Sequence, residues 1–376
     1  MTPPGGIYVH LPYCASRCGY CAFVVTTDGS SRDRYLEALQ RETALLVREA
    51  EGATFDSIYL GGGTPSLLPT EAVRRLLEEL RRAFRIGPDA EVTLEANPED
   101  VTPEAVRAWK SAGVNRVSVG VQSFEDVELA GVGRRHDAAR AASALEILAG
   151  AGLAVSGDLI LGLPEQTPES FGRSVRRLID SGASHASIYL LEVEKSKTME
   201  EDRRVRPERY PSDDVQADMW LAMGDAMAVA GFVHYEISNW ARPGREARHN
   251  LKYWTRTANL GLGVSAHELW AGRRRANVST LEGYVERLSR GERPLALDRP
   301  IDLAEAAREE VFLGLRLARG VEEDAVRRQI DAAGDARLPE DYEVWQESGI
   351  LEKDQSRVRF TERGFLVSNE VLSRFV

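Results

Sequence analysis

The chain has 376 residues, 43% hydrophobic and 28% charged, enough to bury a large core divided over roughly two to three domain-sized units. Acidic side chains outnumber basic ones by 59 to 48, a net charge of −11, which excludes the broad Lys/Arg surface that nucleic acid requires. The opening MTPPGGIYVHLPYC has no basic segment leading into an apolar one, and no apolar run reaches the roughly 18 residues of a membrane span, so a cytoplasmic protein with reduced thiols is expected.

In chain order, GIYVHL (about 6 to 11) reads as a first buried strand, and the segment after it holds Cys14, Cys18 and Cys21, every cysteine in the sequence. A disulfide framework wants an even number of cysteines and a structural zinc site wants four ligands, so three thiols at C-x3-C-x2-C leave a metal centre with one open position. SIYLGG (57 to 62) is a second strand running into GGGTP. Val73, Leu76, Leu77, Leu80 and Phe84 then fall at helical spacing, with charge on the opposite face. VTLEANP (92 to 98) ends in Glu95 and Asn97, RVSVGVQS (116 to 123) in Gln122, VSGDLILGLP (155 to 164) contains Asp158, and ASIYLLE (186 to 192) is a sixth strand. Thr102-Pro103 and Thr167-Pro168 each read as an N-cap followed by proline at the first helical position, and Gly113 and Gly182 as stops.

Repeated β-α units with right-handed crossovers imply a barrel-like or doubly wound parallel sheet whose function sits on loops at the strands' C-terminal ends. The cysteine loop, the glycine loop, Glu95, Gln122 and Asp158 all fall there. Taken singly, Gly61 to Gly63 can be a tight turn and each polar residue an ordinary cap; their succession after consecutive strands favours one shared rim.

The cysteine spacing, with Tyr20 before the last thiol, resembles the radical S-adenosylmethionine superfamily. In order, IYVHLPYC, YLGGGTPSLL, EANPED, GVNRVSVGVQSF, GVGRRHD and GDLILGLPEQT are similar to its oxygen-independent coproporphyrinogen III oxidase group. That resemblance implies an α/β fold, a partial (β/α)6 TIM-like barrel with a smaller C-terminal α+β, winged-helix-like domain. It also implies a [4Fe-4S] cluster on Cys14, Cys18 and Cys21 whose fourth iron is left for S-adenosylmethionine. Cofactor contacts carried over by position are Tyr8, Tyr20, Gly62, Gly63, Thr64, Glu95, Gln122, Arg134 and Asp158. The group has a catalytic branch and a haem chaperone branch. The catalytic branch carries a further cysteine two positions after the third, where this chain has Phe23, and the chaperone branch carries HNxxYW, which stands here as HNLKYW.

The chaperone reading is therefore expected, with coproporphyrinogen III oxidation as the alternative and a radical RNA-modifying enzyme disfavoured by the acidic balance. It makes His249 the haem-linked residue and His267, in GVSAHEL, its rival; from residue chemistry alone His249 can equally be a satisfied loop histidine packed on Tyr253 and Trp254. Expected partners are haem, haem-accepting proteins and an electron donor such as a flavodoxin or ferredoxin. Neither nucleic acid nor a membrane span is expected, which leaves room for peripheral association with membrane haem proteins. The expected division is a barrel over 1–240, a connecting segment over 241–298 with the HNxxYW motif, and a C-terminal domain over 299–376 that packs against the open side of the barrel. Residues 192–214, charged and interrupted by prolines, read as a loop or lid, either covering the cofactor or merely solvated.

Overall fold

Six runs rich in β-branched residues form the parallel strands that their spacing predicts. In the computed structural model, which describes residues 3–375, they are β1 (Gly5–Leu11), β2 (Thr54–Gly62), β3 (Arg85–Ala96), β4 (Arg116–Gln122), β5 (Ala154–Leu161) and β6 (His185–Leu190). Each pairs in parallel with the next in sequence order. The returns are made by α1 (Arg32–Glu49), α2 (Thr70–Ala83), α3 (Pro103–Ser111), α4 (Asp126–Gly131), α5 (Ala138–Gly150) and α6 (Pro168–Asp180), giving a partial (β/α)6 barrel. Val73, Leu76, Leu77 and Leu80 line the buried face of α2, while Phe84 is buried just beyond the helix end. Thr102 caps α3 by accepting from the Ala105 N–H, and Thr167 caps α6 in a reciprocal capping box with Ser170. Gly113 and Gly182 follow those helices with φ of 91° and 81°.

The chain continues through α7 (Lys197–Val205) and α8 (Asp213–Val229). Residues 192–214 are thus partly helical rather than a loop: Ser196 caps α7 and Arg204–Glu201 and Arg206–Asp202 pairs line it, while Met199 is its one buried residue, so no apolar period announces it. Beyond β6 the sheet gains β7 (Val233–Glu236) and β8 (Asn239–Ala241). After α9 (Arg248–Trp254), β9 (Asn259–Leu262) pairs in parallel with the other edge of β1, and β10 (His267–Trp270) and β11 (Arg273–Asn277) extend that side. Helix α10 (Leu281–Ser289) and β12 (Leu295–Pro300) complete a twelve-stranded sheet. Segment 241–298, expected as a connection, therefore contributes β9, β10, β11 and most of β12 to the sheet. Its strands are short and joined on one face by ion pairs of Arg275 with Glu268 and of Arg273 and Arg275 with Asp298, which hides the apolar alternation that a strand usually shows.

Leaving β12 at one end of the sheet, the chain enters α11 (Leu303–Gly314) and reaches β7 at the other end, where the Ile237 N–H donates to Arg316 O (2.8 Å) and the Ala318 N–H to Tyr235 O (3.1 Å). Helix α11, about 18 Å long at 1.5 Å per residue, thus spans the open side of the barrel. The chain ends in β13 (Val321–Glu322), α12 (Glu323–Ala333), α13 (Leu338–Glu347), β14 (Leu351–Asp354), β15 (Arg357–Phe360), α14 (Glu362–Leu366) and α15 (Ser368–Ser373), with β13-β15-β14 as a small antiparallel sheet. Among the described residues no helix is long and apolar enough to cross a membrane.

Candidate functional site

Where β1 ends, the chain makes a closed loop. The Cys14 N–H donates to Thr26 O (2.9 Å) and the Thr26 N–H to Pro12 O (2.8 Å), so the loop is tied at its root. Its tip is tied too. The Gly19 N–H reaches Val132 O at 3.1 Å, and the Ser196 hydroxyl before α7 donates to Gly19 O. Tyr20 packs on an apolar cluster that includes Val132, Ile160, Leu163, Val193 and Met199, so α7 and its approach seat the cysteine loop. All three thiols are free and half-buried. Burial raises the Cys14 and Cys21 thiols above their ordinary value and negative charge on the neighbouring thiols raises them further, an environment that a bound cation relieves.

The glycine loop is fitted against the same root. A Cβ on Gly62 (φ 110°) would lie 2.5 Å from the His10 ring, and one on Gly63 would lie 2.7 to 2.8 Å from the backbone of residues 11–13. The Gly63 N–H donates to Leu11 O and the Thr64 N–H to Tyr13 O, both at 2.8 Å. From there a chain of side chains runs round the rim. The Thr64 hydroxyl lies 3.5 Å from Cys14 Sγ and accepts from Asn97 Nδ2 (3.3 Å); Asn97 Oδ1 accepts from Arg134 Nη2 (2.7 Å), which also donates to Gly120 O (2.7 Å), and Arg134 Nη1 lies 3.5 Å from Cys18 Sγ. Asn97, noted in the sequence only as a strand end, is the link between these contacts; its place after β3 in EANPED was the available signal. Gln122 has a left-handed backbone (φ 67°) at a bulge between β4 and β5, and its Nε2 stands 2.8 Å from the Cβ position of Gly120, beside Arg134. A non-glycine residue held there stores strain at the rim.

Deeper in the barrel stand two carboxyls. Glu95 accepts from Tyr59 OH (2.8 Å) and the Gly62 N–H (2.9 Å), and burial pushes it up to about 7. Asp158 accepts from Ser118 (3.0 Å) and Ser156 (3.1 Å), and burial pushes it up to about 6. Tyr8 donates to or accepts from His10 Nδ1 at 3.0 Å and packs 6.1 Å from the Tyr59 ring. Tyr189 and Tyr253 are 45% and 38% exposed although both belong to barrel-forming segments, so the lumen is open to solvent. The expected rim is thus assembled, except that Tyr8, Glu95 and Asp158 lie below it on the inner wall.

His249 adjoins this inner wall, its ring 6.4 Å from that of Tyr8. Two N–H groups opening α9, those of Arg248 and His249, donate to the buried Glu91 carboxylate at 3.1 and 3.0 Å, which lays the helix across the barrel wall. The imidazole is 1% exposed, with Nδ1 bonded to Ser57 Oγ and Nε2 to Tyr253 OH, both at 3.0 Å, and the Tyr59 ring 5.3 Å away. Burial, with the Lys252 charge behind it, pushes its pKa down to about 3. In this arrangement both ring nitrogens of His249 are hydrogen-bonded within the protein. Sequence could not show this, because Ser57 lies 192 residues away. Phe23, by contrast, is 64% exposed beside Cys21.

Residues 8–178 match the radical SAM superfamily and residues 301–367 the HemN C-terminal domain. Among curated proteins the chain is similar to the heme chaperone HemW of Mycobacterium tuberculosis, 37% identical over 376 residues covering 98% of this chain and 94% of the relative. It is 32% identical to the heme chaperone HemW of Bacillus subtilis over 372 residues, 98% of each, and 32% identical to that of Escherichia coli K12 over 400 residues, 100% of this chain and 98% of the relative. Among solved structures, coproporphyrinogen III oxidase (HemN) from Escherichia coli superposes with a TM-score of 0.85 at 24% identity, over 100% of this chain and 90% of that one, a likeness of fold.

Proposed function

Since the chain belongs to the radical S-adenosylmethionine superfamily and, within it, to the heme chaperone HemW family, we propose that it binds haem and delivers it to haem-dependent proteins from a scaffold carrying a [4Fe-4S] cluster and S-adenosylmethionine. The observation that carries the reading is the three-thiol loop, tied at root and tip, in a chain alike from end to end with haem chaperones. Cys14, Cys18 and Cys21 would hold the cluster: they are the chain's only soft thiolate donors, and the Thr64 hydroxyl and Arg134 guanidinium stand 3.5 Å from two of their sulfurs. When bound, the cluster supplies a one-electron centre with an open iron for the amino and carboxylate groups of S-adenosylmethionine.

This chain's own residues set the surroundings. Gly62, Gly63 and Thr64 leave backbone room at the rim, Gln122 and Arg134 border it, Tyr20 seats the cysteine loop, and Tyr8, Glu95 and Asp158 line the inner side, where they would meet the nucleoside. A cluster held by Cys14, Cys18 and Cys21 and reduced by a donor such as a flavodoxin or ferredoxin would make haem release depend on its redox state. Coproporphyrinogen III oxidation is the competing activity, and Phe23 in place of a thiol speaks against it.

Anaerobic reconstitution with iron and sulfide, followed by haem titration and a coproporphyrinogen decarboxylation assay in parallel, tests the reading. Haem binding with no protoporphyrinogen IX is expected. Sustained decarboxylation, or no haem binding by the reconstituted chain, overturns it.

A further inference from the structure

If haem is the cargo, its iron needs a ligand, and both ring nitrogens of His249 are already hydrogen-bonded within the protein. His10, His136, His185 and His249 are buried with at least one ring nitrogen hydrogen-bonded inside the protein, and His234 is stacked on Trp240 and bonded to Glu362. Of the six, His267 alone is exposed, and its ring makes no hydrogen bond to any described residue.

The surface around it is built in two rows. On the inner face of the sheet extension, His267 on β10 pairs across Ala276 on β11 to Leu297 on β12, a row about 10 Å wide at two strand spacings whose middle residue is buried between its exposed neighbours. Leu297 is 38% exposed. Two residues along each strand, about 7 Å away, a second row runs Leu269, Arg274, Arg299. Helix α11 faces that row: Glu309 holds Arg274 and Glu305 holds Arg299, while Arg308 between them has no ion pair among the described residues. A cavity of about 440 Å³ opens there, lined by Arg299, Glu305, Arg308, Glu309, Phe312 and Phe375.

We propose that His267 is the axial ligand through which haem is carried, with the exposed Leu297 side chain against the macrocycle and a propionate carboxylate on Arg308. The parts match the ligand: haem is a flat apolar disc whose iron takes imidazole and whose edge bears carboxylates, which guanidinium groups bind well. The inference rests on the haem chaperone reading above and supplies its site.

The full-length reconstituted protein, titrated anaerobically with ferric haem and followed in the Soret and visible bands, decides the matter. His267→Ala should lose the histidine-ligated spectrum and weaken binding by roughly tenfold or more, the loss of one coordinate bond exceeding about 1.4 kcal/mol, with added imidazole restoring the spectrum. Arg308→Ala should keep the spectrum and weaken binding by roughly threefold, the worth of one exposed ion pair. A wild-type spectrum and affinity in His267→Ala overturn the inference and leave the chaperone reading standing. So does loss of the spectrum in His249→Gln with retention in His267→Ala, which assigns iron to the HNLKYW motif. Wild-type protein that takes up no haem removes both.

Discussion

Replacing Glu42 by glutamine isolates the ionisation of one fully buried carboxyl. Glu42 stands on α1 under the root of the sheet extension, accepting from the Gly263 N–H (2.8 Å), Tyr284 OH (2.5 Å) and Asn277 Nδ2 (2.7 Å). Burial outweighs these donors and pushes its pKa from 4.5 up to about 7. Between those values the native state keeps a proton that the unfolded chain releases. Its contribution to stability is therefore full below about pH 4.5, declines as pH rises and is lost above about pH 7, a loss of about 3 kcal/mol at 1.36 kcal/mol per pH unit. Glutamine does not titrate. It misplaces an amide among three donors and so imposes its own cost, but that cost does not vary with pH. The difference in unfolding free energy between Glu42→Gln and wild type should therefore shift by about 3 kcal/mol in the variant's favour between about pH 4.5 and about pH 8. Anaerobic urea unfolding, followed by tryptophan fluorescence at several pH values across that window, measures it. A difference that stays flat over the whole window refutes the reasoning.

Four further outcomes are expected. Cys18→Ser should remove the iron–sulfur absorbance and the reduced-cluster paramagnetic signal after reconstitution, because a hydroxyl is a poor replacement for thiolate on iron; an unchanged signal removes this cysteine from the site. Gly62→Ala, which sets a methyl 2.5 Å from the His10 ring at φ 110°, should lower unfolding free energy by about 2 kcal/mol or more and reduce iron retained, read by urea unfolding and metal analysis. Glu91→Gln should speed amide exchange at Arg248 and His249 by roughly tenfold, the loss of about 1.4 kcal/mol from a charge-assisted cap on α9, measured by hydrogen–deuterium exchange. Thr167→Ala breaks the capping box of α6 and should cost about 1 kcal/mol in the same unfolding assay.

What the sequence shows depends on whether a residue's role is local. The six barrel strands announce themselves because each carries a short apolar run, and Thr102 and Thr167 because a cap is written within four residues. The cysteine loop is legible for a similar reason, since all three thiols share one segment. The sheet extension is not: RRRAN and LALDRP carry charges that only cross-strand partners make sense of, as Asp298 does for Arg273 and Arg275. Helix α7 escapes because its stability is in a cap and ion pairs. The HNLKYW motif shows the limit most clearly. Its letters reveal an imidazole beside aromatics, but whether that imidazole is free depends on Ser57, brought to it by the fold from β2.

Strand β1 lies between β2 and β9, and β9 begins at Asn259, roughly 250 residues beyond the strand it completes. At about 5 to 20 residues per second, a nascent chain therefore carries an unpaired edge of β1 for roughly 12 to 50 seconds before its partner is made. That edge belongs to the very strand from which the cysteine loop springs. Such an edge invites pairing with another chain. Production of this protein in cells should accordingly favour slow initiation and an ample supply of factors that shelter nascent chains, while truncations ending between residues 190 and 259 should aggregate even though all six barrel strands are present in them.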